Sequence, residues 1–277
     1  MPKHPDSALA SPIPLTTLRP FMPFRFPWSR AEPLPSFFFI GHAKGGSTWI
    51  DGIVRTLAGD QVAPRFGSDW KQFQWQPGRV YSACFITRDQ FLSVPEIQSV
   101  RRFVVIRDLR DTLISRYFSM RDTHGRDAAG QIDKTREVLR SVPFAEGLIH
   151  QMDHGLQVAA RIQRSWWGTG EAVYKYEDLI FDDIPRLHEI FLEHLQLPVS
   201  TRRLDKAIVA NRFETKYKRK LGQVDPTSHG RTGTPGDWKN HFTPEIAREF
   251  HHRFGDVLIA TGYETDASWI DRTPSPS

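Results

Sequence analysis

The sequence predicts an α/β fold: a three-layer sandwich in which a central parallel β-sheet is flanked by helices. Three observations predict it. From Phe37 onward, short apolar runs alternate with amphipathic helical stretches, the pattern of a parallel sheet covered on both faces. The first run, Phe37–Ile40, ends in a glycine-rich loop that opens into a helix. The chain has 277 residues, 39% hydrophobic and 25% charged, enough for one large domain with a sizeable core.

Residues 1–35 read as an extended N-terminal arm, because Pro12, Pro14, Pro20, Pro23, Pro27, Pro33 and Pro35 block regular helix. Phe21, Phe24, Phe26 and Trp28 would lay it across the domain. Strands are expected at Phe37–Ile40, Arg79–Phe85, Arg102–Ile106 and Ala172–Lys175. Helices are expected at Thr48–Leu57, Asp111–Met120, Phe144–Trp167, Ile184–Leu195, Leu204–Ala210 and Pro244–Thr261. Thr243 supplies an N-cap for the last of them, with Pro244 at N1. The polar segment 122–135 reads as a mobile loop, and 212–242 as a long, basic, glycine-rich one of the kind that carries function. The domain spans 36–265, and 266–277 reads as a flexible tail.

The loop Gly41-His42-Ala43-Lys44-Gly45-Gly46-Ser47-Thr48-Trp49 is the most informative stretch. A strand, a tight turn and a helix N-terminus make an anion cradle, since free N–H groups and the macrodipole favour negative charge. The spacing approaches the P-loop pattern G-x-x-x-x-G-K-[ST], so the fold class is P-loop-NTPase-like. Ser47 stands where that motif has lysine, and the lysine has moved forward to Lys44. Trp49 offers a stacking face. An ordinary glycine-rich turn is the plainer alternative.

Two further elements carry basic chemistry. Arg107 follows the apolar run Phe103–Ile106 at a strand's C-terminal end, where ligands of open α/β sheets bind, and Ser115 lies eight residues on. Surface pairing of Arg107 with Asp108, or of Arg110 with Asp111, is the plainer reading. The segment Gly230-Arg231-Thr232-Gly233-Thr234-Pro235-Gly236-Asp237-Trp238-Lys239-Asn240-His241-Phe242-Thr243 forms a flexible loop in which Arg231 presents a planar fork to phosphate. Asp237-Trp238 would anchor its return.

Together these elements resemble the sulfotransferase family that uses 3′-phosphoadenosine 5′-phosphosulfate (PAPS). Residues 44–49 are similar to its 5′-phosphosulfate motif K-[SG]-G-[ST]-T-W. Arg107 and Ser115 are similar to its 3′-phosphate motif, Gly230–Thr243 to its R-K-G-x-x-G-D-W-K-N-x-F-T segment, and Tyr176-Glu177-Asp178-Leu179 to its Y-E-D-L stretch. The resemblance spans about residues 36–265 and implies sulfuryl transfer to a hydroxyl or amine, with adenosine 3′,5′-bisphosphate (PAP) as product. It implies that Lys44, Gly45, Gly46, Ser47 and Thr48 hold the 5′-phosphosulfate and that Trp49 stacks on adenine. Arg107, Ser115, Arg231 and Gly233 would grip the 3′-phosphate, with Tyr176 at the adenine edge. Thr232 replaces a lysine usual in cytosolic members. Lys44 would also meet charge growing on the departing bisphosphate, and no metal is required.

The proton acceptor is harder to place. Cytosolic members use a histidine after the second strand, and Phe85 occupies that position here. Ser68-Asp69-Trp70-Lys71-Gln72-Phe73 loosely resembles a carboxylate-bearing segment of carbohydrate-acting branches. This makes Asp69 the candidate base, with Asp89 and His124 behind it and a surface role for Asp69 as the alternative. The family's dimer motif is broken, because Pro244 and Arg248 depart from it, which leaves oligomeric state open.

The charge of +5 and pI near 9.4 suit an anionic partner without choosing one. The single cysteine, Cys84, excludes an intramolecular disulfide framework and fits a reducing, cytoplasmic setting. No run approaches the roughly eighteen apolar residues of a membrane span. Lys216-Tyr217-Lys218-Arg219-Lys220 is the best nucleic-acid candidate, though such runs are more often solvated, so no nucleic-acid partner is expected. The acceptor reads as a small molecule, glycan or lipid, with Phe66, Trp70, Phe73, Trp75, Trp166 and Trp167 as pocket or core aromatics. Competing readings are a small-molecule kinase built on the same loop and a non-catalytic basic binding protein.

Overall fold

A computed structural model describes residues 33–65, 70–127 and 129–274. The expected N-terminal arm lies outside these up to residue 32, as do Phe66 and Asp69. Among the described residues four parallel strands form the sheet: β1 Phe37–Ile40, β2 Tyr81–Cys84, β3 Arg101–Ile106 and β4 Val173–Lys175. Their order is β2-β1-β3-β4, so β1 is central. Phe37 to Ile40 pair in register with Arg101 to Val104, and Val104 to Ile106 pair with Val173 to Lys175.

Period-two alternation assigns each strand residue to a layer. Phe37, Phe39, Phe103 and Val105 face one side, against α1 (Ser47–Ala58) and α9 (Thr201–Asn211). Phe38, Ile40, Val104 and Ile106 face the other, against Phe91 of α2 (Arg88–Leu92) and Ile162 and Trp166 of α6 (Gln157–Trp166). Each fully buried phenylalanine of β1 contributes about 1.5–3 kcal/mol. A second core joins α3 (Leu109–Phe118), α5 (Phe144–Gln151) and α11 (Pro244–Ala260) through Leu113, Tyr117, Leu148, Phe250 and Phe254. Thr243 caps α11 as the sequence indicates, its hydroxyl accepting from Ile246 N.

Several expectations need correction. The segment 122–135 is not simply a loop: α4 (Gln131–Ser141) starts within it, entered through Gly130 at φ 67°. Asp127 Oδ1 accepts from Ile132 N at 3.0 Å. The helix expected over Phe144–Trp167 is α5 and α6 joined by a π-helical turn, Met152–Leu156. Gly155 in that turn admits a neighbour's side chain, since a Cβ there would lie 2.0 Å from Arg116 Nε. The helix expected from Asp111 starts earlier because the Asp108 carboxylate accepts from Arg110 N at 2.8 Å. The tail is packed as far as Thr273: Ala267–Arg272 forms a 3-10 helix, and Trp269 is buried against Trp238 and Phe250. Phe73 and Trp75 pack on Phe38 and Tyr81, and Trp70 stacks on Phe73, all three half-buried against the core.

Candidate functional site

All four strands run the same way, so their C-terminal ends open at one edge, and the residues that follow β1, β2, β3 and β4 line one cleft of about 630 Å³. After β1 the chain turns sharply. Gly41 N donates to Cys84 O at 3.0 Å and Gly45 N to His42 O at 3.1 Å. Lys44 and Gly46 both take left-handed backbone, at φ 66° and 87°. At Gly46 glycine is obligatory on two counts, because a Cβ would also stand 2.5 Å from Tyr176 Cδ2. Helix α1 then starts with no side-chain cap, and among the described residues the Ser47 and Thr48 N–H groups have no hydrogen-bond acceptor.

Beneath the loop lies a buried polar brace. His42 Nδ1 donates to Ala43 O at 3.0 Å. Gln163 Nε2 lies 3.0 Å from His42 Nε2 and donates to Arg107 O at 2.7 Å. Burial lowers the His42 pKa to about 4, which matches a neutral ring with its proton on Nδ1. The brace ties α6, the loop and the end of β3 together.

Arg107 leaves β3 and reaches back to the loop, where Nη1 donates to Lys44 O at 3.1 Å. Its guanidinium lies 4.7 Å over the Tyr176 ring and 3.8 Å from Asp111 Oδ2. Burial opposes its charge, but Asp111, Tyr176, Glu177 and Asp108 outweigh burial and raise its pKa. The surface pairs considered from sequence are therefore not surface pairs: Arg107, Asp108, Arg110 and Asp111 are all buried. Burial, then the charges of Arg107 and Arg116, lower the Lys44 ammonium to about 7.

Loop 230–236 closes the far side. Tyr176, the first residue of α7 (Tyr176–Phe181), donates its hydroxyl to Gly233 O at 3.1 Å. Arg231 pairs with Asp237 and lies 4.2 Å over the Phe118 ring. The loop's return is anchored from α3 rather than by Asp237 alone: Asp111 accepts from Gly236 N at 2.6 Å and Trp238 N at 3.0 Å. Among the described residues the buried Nε–H groups of Arg107 and Arg231 and the indole N–H of Trp49 have no partner. Buried donors are seldom left unpaired. The side chains of Lys44, Arg107 and Arg231, with the free amides at Ser47 and Thr48, make a donor-rich, cationic cleft fit for a polyanion.

The cleft thus brings together Lys44, Gly46, Ser47, Thr48, Trp49, Arg107, Ser115, Tyr176, Arg231 and Gly233. Gly45 stands behind it, against the His42 ring, where a Cβ would meet ring atoms at 2.7 Å. Phe85 lines the cleft after β2 and offers no proton acceptor. His124 lines it, whereas Asp89 sits in the first turn of α2 and does not. Sequence reading missed Phe213, His229 and the Gln163–His42 brace. His229 had a signal, since it lies two residues before Arg231. Gln163 had none, being one polar residue within an amphipathic helix.

The family model for the sulfotransferase domain matches residues 96–262, more than half of the chain.

The chain belongs to the sulfotransferase family.

This sulfotransferase is 21% identical to flavonol 3-sulfotransferase of Flaveria bidentis over 271 residues, covering 81% of this chain and 82% of that protein. Its fold is similar to that of mouse sulfotransferase SULT7A1, solved in complex with PAP, at TM-score 0.60 and 16% identity, with 86% of this chain and 88% of that one covered. It is also similar to retinol dehydratase, solved with androsterone and the inactive cofactor PAP, at TM-score 0.50 and 13% identity over 80% of each chain. No helix among the described residues is long and apolar enough to cross a membrane.

Proposed function

We propose that this sulfotransferase takes its sulfuryl group from PAPS and passes it to a hydroxyl or amine of a small-molecule, glycan or lipid acceptor. The observation that carries this is the convergence of Lys44, the α1 N-terminus with its free Ser47 and Thr48 amides, Arg107, Ser115 and Arg231 on one cleft. The residues fit a nucleotide with phosphate at both ends. Lys44 and the amides of Ser47 and Thr48 would hold the 5′ end, with Gly45 and Gly46 shaping the turn. Arg107, Ser115, Arg231 and the Gly233 backbone would hold the 3′-phosphate. Trp49 and Tyr176, edge to face at 6.1 Å, would flank the base. Bound PAPS supplies an activated sulfuryl group on a phosphate leaving group. Lys44 and the preorganised amides meet the charge that grows there, in a site where such donors count most. Thr232 is buried on the cleft wall and brings no charge where a lysine is usual, so the arginines carry the 3′ end. The single cysteine, Cys84, is buried and free, in keeping with a cytoplasmic setting.

Thermal shift tests the donor assignment. At a hundredfold excess over Kd, PAP should stabilise by about 2.7 kcal/mol, without Mg²⁺, and ATP with Mg²⁺ should not. The opposite ranking supports the kinase alternative and overturns the assignment.

A further inference from the structure

Transfer to a hydroxyl needs a group that takes its proton, and the residue after β2 is Phe85. Of the four carboxylates lining the cleft among the described residues, Glu214 is exposed to solvent and the other three are committed elsewhere. Asp111 accepts two backbone N–H groups, Asp237 pairs with Arg231, and Asp183 pairs with Arg212 at 2.6 and 2.8 Å. Two imidazoles line it as well. His124 Nδ1 is engaged by Ser119 Oγ at 3.3 Å. His229 is the one beside the lysine, with Nε2 3.4 Å from Lys44 Nζ.

His229 is carried by a built hairpin rather than a loose loop. Asp225 N donates to Arg231 O at 3.0 Å and Ser228 N to Asp225 O at 3.2 Å. Asp225 Oδ1 accepts from Thr227 N at 2.9 Å and Thr227 Oγ1 at 2.7 Å. From below, Arg219 donates to Gly230 O at 2.6 Å and Arg231 O at 3.1 Å. Gly230 is needed because a Cβ there would lie 2.5 Å from the Tyr217 ring. Two residues of the basic run 216–220 are therefore spent on holding His229 in place.

Resting on the sulfuryl-transfer reading, we propose that His229, held at the cleft by the Asp225–Arg231 hairpin, is the general base that receives the acceptor's proton on Nε2. The acceptor oxygen–sulfur bond forms as the bond from sulfur to the bridging oxygen breaks. The electron pair leaves with the bisphosphate, and the proton passes to His229 and then to water. The charged and titratable groups facing the ring are Lys44, His124 and Lys216. Partial desolvation, then these three charges, lower its pKa, so the ring of the free protein is neutral at neutral pH. An anion in the cradle draws the Lys44 ammonium to itself and leaves the Nε2 lone pair for the acceptor.

The test is His229→Gln, with His252→Gln, exposed on α11 and outside the cleft, as comparator, PAPS as donor and two probe acceptors. β-Naphthol keeps its proton at mildly alkaline pH, and para-nitrophenol has already lost it. His229→Gln should bind PAP as the wild type does in calorimetry. It should lose roughly 10²–10⁴-fold in kcat on β-naphthol and far less on para-nitrophenol, while His252→Gln changes neither strongly. Equal loss on both phenols, or full retention on β-naphthol, overturns the proposal. A second readout needs no turnover: imidazole ¹⁵N signals, assigned by the variant, should show the His229 midpoint rising when PAP is added. An unmoved midpoint also overturns it. Absence of PAP binding by the wild type would instead strike the donor assignment.

Discussion

Replacing Gly46 by alanine tests whether the cradle is built around the Tyr176 ring. The backbone at this position is left-handed, at φ 87°, which costs an L-residue about 1–2 kcal/mol. The new methyl would lie 2.5 Å from Tyr176 Cδ2. The ring cannot step aside freely, since its hydroxyl is tied to Gly233 O at 3.1 Å and Arg107 lies on its face. Overpacking of this kind adds about 1–3 kcal/mol. Gly168→Ala is the matched control, being left-handed at φ 71° with nothing within 4 Å of the added carbon. It should show the backbone cost alone. At about 2–4 °C per kcal/mol, circular dichroism melts should place Gly46→Ala well below Gly168→Ala. Calorimetry should show PAP binding weakened only in Gly46→Ala. Equal melting losses with unchanged PAP affinity would refute the reasoning.

The brace makes a separate prediction. Gln163→Leu leaves the buried Arg107 carbonyl and His42 Nε2 unpaired and should cost about 1–3 kcal/mol in urea denaturation, against about 0–1 kcal/mol for Arg164→Ala at its exposed Asp256 pair. Lys44 gives a pH signature. Its pKa falls from 10.5 to about 7 on folding, so between these values the unfolded chain binds more protons and stability rises with pH. The penalty is fully present below about pH 7. Lys44→Met should therefore raise the melting temperature most in that range, the gain shrinking as pH climbs. Arg107→Gln should weaken PAP by about 1.5–3 kcal/mol, the worth of a charge-assisted hydrogen bond, measured by calorimetry.

The anion cradle was legible because glycine, lysine and hydroxyl residues at fixed spacing after an apolar run have few other uses. The β1 and β3 strands were legible because buried parallel strands read as unbroken apolar runs. What escaped was set by tertiary pairing. Helix α4 buries little beyond Leu139, so its polar sequence resembled a loop. The π turn at Met152–Leu156 sets Gly155 against the Arg116 side chain, a contact that local periodicity cannot encode. Asp111 looked like half of a surface pair with Arg110, yet it holds the 236–238 backbone from more than a hundred residues away in the chain. The proposed base, His229, had only its place two residues before Arg231 as a signal, since it gains its meaning when the hairpin folds over Lys44.

One guanidinium touches both halves of the cleft. Arg107 rests on the Tyr176 ring beside the 230–236 loop and also holds the Lys44 carbonyl. On the proposed reading the two phosphate grips are thus not independent. A ligand phosphorylated at one end alone leaves the opposite turn less firmly held. Selectivity for the doubly charged nucleotide then emerges as positive cooperativity between its own two ends, and the affinity losses on stripping each phosphate singly should sum to more than the loss on stripping both.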